Sequence, residues 1–223
     1  MKWNLPNILT VLRLLAAPSV AVMFLYFRRP LADWFALCLF IGAALTDFLD
    51  GYLARAWKQE SKFGAMLDPI ADKAMVVIAL LVITGFSGMN PWILLPAVVI
   101  MFREVFVSGL REFLGDKAHM LKVTKLAKWK TTAQMIALAV LFAQGVFEHY
   151  FGMQSFGMDA AMVADILSGR EQDVLGLAWK YHGMVWTTYG GIGLLWLAAA
   201  LTLLTGWDYF MKALPFLKDE VSR

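Results

Sequence analysis

The sequence predicts an all-α protein: a polytopic membrane bundle of six transmembrane helices, both termini cytoplasmic. Three observations carry that expectation. Sixty per cent of the 223 residues are hydrophobic and only 17% are charged, against about 25% charged in an average soluble domain. The apolar residues collect into six runs, at 7–26, 31–52, 64–86, 91–110, 131–151 and 183–204. Each comes close to the ~20 residues that cross a hydrocarbon core. The basic residues, finally, gather in alternate connections.

The first run is kept as a span and not read as a signal peptide, because Arg13 interrupts it, it runs long, and no small-residue cleavage site follows. Lys2 and Trp3 precede it as interfacial anchors. Arg29-Pro30 separates it from the second run. Only the turn 58–62 joins the second run to the third, so these two helices are antiparallel neighbours. The breakers Ser87-Gly88-Met89-Asn90-Pro91 precede the fourth run, and Gly206 follows the sixth. Gly190-Gly191-Ile192-Gly193 lies inside the sixth run and serves close helix packing or local bending.

Charge orients the bundle. Arg55, Lys58 and Lys62, then Arg111, Lys117, Lys122, Lys125, Lys128 and Lys130, then Lys212, Lys218 and Arg223 share one side. The other side holds Arg28, Arg29, Arg170 and Lys180. The positive-inside rule makes the richer side cytoplasmic. The connection 148–182 falls opposite, carries Asp159, Asp165, Glu171 and Asp173, and reads as an insertion in a single domain spanning 1–223. Within it, 158–167 predicts a short amphipathic helix on the membrane surface.

Several functions are excluded or unsupported. A net charge of +3 gives no support for nucleic-acid binding. One cysteine, Cys38, rules out an intrachain disulfide framework and a cysteine-based zinc cluster. His119, His149 and His182 are scattered, without a second ligand at metal spacing.

The chemistry lies in four aspartates. Asp47 and Asp50 in the second run, and Asp68 and Asp72 in the third, sit where a carboxylate costs at least ~2.5 kcal/mol on insertion scales. Asp47, Asp50, Gly51, Ala54 and Arg55 share one helix face, as do Gly64, Asp68 and Asp72. Oxygen donors without His or Cys suit Mg²⁺ or Mn²⁺. Gly51, Ala54 and Gly64 leave room for a ligand, and Arg55 offers a planar fork to a phosphate. The pattern reads as a two-metal site for a phosphorylated ligand. Two plainer readings stand beside it: buried acids paired with Arg55 and Lys73, or the ion or proton path of a transporter.

The run Asp47-x2-Asp50-Gly51-x2-Ala54-Arg55-x8-Gly64-x3-Asp68-x3-Asp72 resembles the signature of the CDP-alcohol phosphotransferases. The resemblance implies a six-helix membrane fold, a homodimer, and two divalent cations held by Asp47, Asp50, Asp68 and Asp72. Asp72 corresponds to the family's proton acceptor, and Gly51, Arg55 and Ser61 to contacts with the CDP moiety. Asn7 to Arg13 resembles the family's opening, in which Thr10, Val11, Leu12 and Arg13 correspond to a contact with the CDP-lipid.

Three further segments resemble the bacterial branch of that family that makes phosphatidylglycerophosphate: 103–112, 128–134 and 205–209. The implied reaction is attack of glycerol 3-phosphate on CDP-diacylglycerol within the bacterial cytoplasmic membrane, with the site facing the cytoplasm. Another acceptor alcohol, namely phosphatidylglycerol, an inositol phosphate or serine, remains open, as does a metal-ion or proton transporter. A dianionic acceptor approaching four carboxylates needs basic residues near the same membrane end. Arg103, Arg111 and Lys130 are the candidates. The alternative for the two arginines is pairing with Glu104 or Glu112, and for Lys130 a plain topology charge.

Overall fold

The computed structural model describes residues 4–56, 61–115 and 125–217, without the side chains at 47–56, 125 and 127–128. Lys2 and Trp3, the side chains of Asp47, Asp50, Arg55, Lys125 and Lys128, and the lysines at 58, 117, 122 and 218 lie outside the described residues, as does Arg223. The described residues form seven helices and no strand. In chain order these are α1 (Leu5–Tyr26), α2 (Leu31–Ala56), α3 (Lys62–Phe86), α4 (Pro91–Leu114), α5 (Lys125–Gln154), α6 (Ala160–Leu167) and α7 (Leu177–Leu217).

Among the described residues, four stretches are long and apolar enough to cross a membrane: Leu5–Tyr26, Pro91–Leu114, Trp129–Gln154 and Leu177–Leu217. In α2, Leu31–Thr46 forms a shorter apolar stretch. Large apolar side chains point outward along the bundle, among them Leu15, Leu81, Val105, Trp186 and Leu204. A soluble monomer rarely leaves such surface uncovered. Cys38 is exposed on the same outer surface.

The most extensive pairing is α5 with α7, followed by α1 with α3 and α4 with α7. Helix α1 also packs on α2, so it lies against both helices that carry the acidic signature. Its inward stripe is Pro6, Asn7, Thr10, Arg13, Ala17, Val20 and Phe24. This three-and-four spacing keeps one face turned to its neighbours. The stripe is polar in its first half and apolar in its second. The main core accordingly sits at the far half, where Phe24, Phe40 and Phe142 meet tilted ring to ring beside Leu80, Ile100 and Leu138.

At that far end Arg29 donates to both carboxylate oxygens of Asp33, at 2.8 and 2.7 Å. Asp33 is fully buried, and the carboxylates of Asp33 and Glu148 raise the guanidinium's pKa. Gly145 on α5 is required here, because a Cβ would collide with the Asp33 carboxylate and the Arg29 guanidinium.

Two helices run farther than the sequence predicts. The break between α5 and α7 shrinks to 155–176, and α6 occupies the amphipathic stretch within it. Helix α7 starts early because the Asp173 carboxylate accepts from the backbone N–H groups of Leu177 and Ala178, at 2.6 and 2.9 Å. That satisfies donors a helix start otherwise leaves open. Lys180 adds two bonds back to the carbonyls of Leu175 and Gly176. Helix α7 also passes straight through Gly206 instead of ending there. A helical glycine costs about 1 kcal/mol relative to alanine, and at Gly206 the missing side chain admits the Arg103 stem. Of the glycines at 190–193, only Gly191 serves close packing: a Cβ there would meet Leu141, whereas Gly190 and Gly193 face open space.

Candidate active site

Helix α3 begins at Ser61, whose Oγ accepts from Gly64 N–H at 3.0 Å and donates to Asn7 Oδ1 at 2.7 Å. One hydroxyl thus caps α3 and ties it to α1. Gly64 lets Asn7 come close, since a Cβ there would stand 2.7 Å from Asn7 Oδ1. From that anchor the two helices run parallel, and their next turns meet in register.

One turn on, Thr10 Oγ1 donates to Asp68 Oδ1 at 2.6 Å. Another turn on, Arg13 Nη1 lies 3.0 Å from Asp72 Oδ1. The Arg13 side chain is 2% exposed and the Asp72 side chain 50% exposed. Helix α1 therefore holds each α3 carboxylate from the inside while Asp72 faces outward. The donors on α1 follow from spacing, since Asn7, Thr10 and Arg13 fall on one face of the helix.

Asp47, Asp50, Gly51 and Arg55 lie on the last turns of α2, and their facing toward α3 falls outside the described residues. Among the described residues no three His, Cys, Asp or Glu gather as a metal cluster. Asp68 and Asp72 themselves fit a hard divalent cation. They stand one turn apart on a single helix, offer only oxygen, and Asp72 is accessible. Val11 is partly buried and Leu12 faces outward on α1.

A second cluster abuts the first through the next residue, Lys73. Its ammonium donates to Ser108 Oγ on α4, and that hydroxyl donates to the Glu104 carbonyl. The Glu104 carboxylate takes Lys130 Nζ at 2.6 Å and Arg103 Nη1 at 3.2 Å. Both cations are nearly buried. One carboxylate therefore stands among Lys73, Arg103 and Lys130, an excess of positive charge that an incoming anion would balance. Arg111, eight residues beyond Arg103, is exposed and donates through Nη2 to the Tyr209 hydroxyl at 3.0 Å. Arg103, Arg111 and Lys130 thus come to one end of the bundle. The two arginines meet across Tyr209, and Lys130 and Arg103 meet at Glu104.

Sequence reasoning offers Glu104 only as a competing partner for these arginines, and leaves Tyr209 without a role. Glu104 was findable as a carboxylate between two candidate cations. Tyr209 closes the segment 205–209 that the family resemblance singles out, but its pairing was not legible, because 98 residues separate it from Arg111.

Comparison with known proteins agrees with the geometry. Over 220 residues, the chain is 67% identical to the CDP-diacylglycerol–glycerol-3-phosphate 3-phosphatidyltransferase of Cereibacter sphaeroides, covering 99% of this chain and all of that protein. It is 34% identical to the protein of the same name from Haemophilus influenzae, covering 99% of each. It is 33% identical to that of Escherichia coli K12, covering 99% of this chain and all of the relative. The sequence profile of the CDP-alcohol phosphatidyltransferases matches residues 3–167, which include α1 to α3 with the whole aspartate signature and the Lys130–Glu104 cluster. The chain therefore belongs to the CDP-alcohol phosphatidyltransferase family.

Proposed function

We propose that the chain transfers the phosphatidyl group of CDP-diacylglycerol to glycerol 3-phosphate, giving phosphatidylglycerophosphate and CMP in phospholipid biosynthesis. The observation that carries this reading is the adjacency of two unlike sites. Asp72 pairs with Arg13 of α1, while its neighbour Lys73 joins the basic cluster on α4 and α5. A diphosphate donor suits the first site and a phosphomonoester acceptor the second. Serine, which carries no phosphate, would leave the basic cluster unmatched.

The roles divide accordingly. Thr10 orients Asp68, and Arg13 orients Asp72. Asp72 takes the proton of the attacking hydroxyl. Thr10 to Arg13, Gly51, Arg55 and Ser61 form the CDP-diacylglycerol side. Arg103, Arg111 and Lys130 hold the acceptor's phosphate, arginine as a planar fork and lysine as a point charge. Asp47, Asp50, Asp68 and Asp72 would hold two divalent cations, Mg²⁺ or Mn²⁺, which supply charge neutralisation for the diphosphate and the departing CMP.

The same reading counts α2 and α3, 26 and 25 residues long, with the four apolar spans. That gives six crossings. It places both termini and the site on the cytoplasmic side, where the basic residues lie. The family resemblance extends it to a homodimer in the bacterial cytoplasmic membrane, surrounded by lipid.

The test offers the purified protein CDP-diacylglycerol and Mg²⁺ with glycerol 3-phosphate, serine, inositol phosphate or phosphatidylglycerol, and measures CMP release. Release with glycerol 3-phosphate alone supports the reading. Preference for another acceptor keeps the chemistry and replaces the substrate. No release with any acceptor removes the enzyme reading and favours transport.

A further inference from the structure

The segment Thr205 to Tyr209 on α7 lies far in sequence from the aspartate signature, yet it reaches the basic cluster. We infer that Tyr209, seated beside Gly206, is a positioning residue that holds Arg103 and Arg111 ready for the acceptor's phosphate. The inference rests on the reading that these arginines grip glycerol 3-phosphate.

Four observations support it. Tyr209 is 2% exposed, so its ring is a fixed part of the interior. Its hydroxyl accepts from Arg111 Nη2 at 3.0 Å. Its ring centroid lies 5.3 Å from Arg111 Cζ and 5.5 Å from Arg103 Cζ, within cation–π range of both. Three residues earlier on the same face, Gly206 admits the Arg103 stem: a Cβ there would stand 3.1 Å from Arg103 Cγ.

The ring is held by its own small core. Val107, Leu110 and Leu114 of α4 and Ala213 of α7 are buried with it. Two guanidiniums of like charge repel, and long side chains lose rotamer freedom when they grip a ligand. A rigid aromatic ring between them lowers both penalties before the anion arrives. Glu104 pairs with Arg103, whereas the Tyr209 ring lies against both arginines and joins them.

The test is steady-state CMP release by the full-length protein in detergent micelles, with each substrate varied in turn. Tyr209→Phe removes the hydroxyl and keeps the ring, so KM for glycerol 3-phosphate should rise roughly three- to tenfold. Tyr209→Leu removes the ring as well, and the rise should reach roughly ten- to a hundredfold. In both variants kcat at saturating acceptor and KM for CDP-diacylglycerol should stay at the parent's values. An unchanged glycerol 3-phosphate KM in Tyr209→Phe overturns the inference, even if Tyr209→Leu fails to fold. So does a parallel loss in both substrates, which marks a structural role only. Arg103→Ala and Arg111→Ala serve as controls. If neither moves the acceptor KM while the parent enzyme uses glycerol 3-phosphate, the inference falls and the enzyme reading stands. If the parent itself releases no CMP with that acceptor, the functional reading has failed before any variant is compared.

Discussion

Arg13 on α1 and Asp72 on α3 form an asymmetric ion pair, with the cation buried and the carboxylate half in solvent. The buried partner fixes the exposed one. Arg13→Ala should therefore lower kcat roughly ten- to a hundredfold, as a misplaced reacting group does, and Arg13→Lys should recover part of the loss. Equal activity in the alanine variant would show that Arg13 does not position Asp72 for the chemistry.

Asp72→Asn keeps the size of the side chain and removes the base. CMP release should fall by roughly 10²- to 10⁴-fold if only general-base help is lost. Binding of CDP-diacylglycerol, followed by equilibrium dialysis, should survive better than in Asp47→Asn.

Thr10 donates to Asp68, and Thr10→Val is nearly the same shape without the hydroxyl. A hydrogen bond to a charged group contributes about 1.5–3 kcal/mol. The Mg²⁺ concentration for half-maximal activity should rise by roughly tenfold or more, and excess EDTA should abolish activity in variant and parent alike. Activity in the chelator would contradict a divalent cation at the aspartates.

Glu104 balances nearly buried Lys130 and Arg103. Glu104→Gln leaves both cations without it, and breaking such a pair costs about 3–5 kcal/mol. The melting temperature without ligand should fall. Glycerol 3-phosphate should then raise it more in the variant than in the parent, since its phosphate supplies the missing negative charge. Equal ligand shifts would place the phosphate away from this cluster.

Asp173 accepts from two N–H groups at the start of α7, and those bonds lower its pKa. A depressed carboxylate pKa stabilises the fold at pH values above the unfolded pKa, about 3.9. That stabilisation disappears as pH falls through the folded value. The difference in melting temperature between the parent and Asp173→Ala should thus be full at pH 6 and shrink toward zero in strong acid. A constant difference would mean that the carboxylate's charge plays no part in the cap.

Much of this molecule was legible in its sequence because its signals are local. The short helix α6 follows from an amphipathic stretch, and the shared face of Gly64, Asp68 and Asp72 follows from helical spacing, but the contacts that Asn7, Thr10 and Arg13 make with Ser61, Asp68 and Asp72 were not legible there. What escaped depends on particular side-chain contacts, near or far along the chain. The early start of α7 needs Asp173 to close on the backbone just after it and Lys180 on the carbonyls just before it. Gly206 looks like a helix end until Arg103 is seen crossing it. Gly191 packs on Leu141 while its neighbours Gly190 and Gly193 do not, a distinction that three similar letters cannot carry.

The 41 residues of α7 form one uninterrupted rod, about 60 Å long at 1.5 Å per residue. Gly191 engages α5 about a third of the way along it, and Tyr209 engages Arg103 and Arg111 near its end. Inserting or deleting one residue between them would turn Tyr209 by about 100° and carry its ring off both guanidiniums. Composition can therefore change along this stretch without unseating the ring, so long as the helix holds, but a change of length cannot.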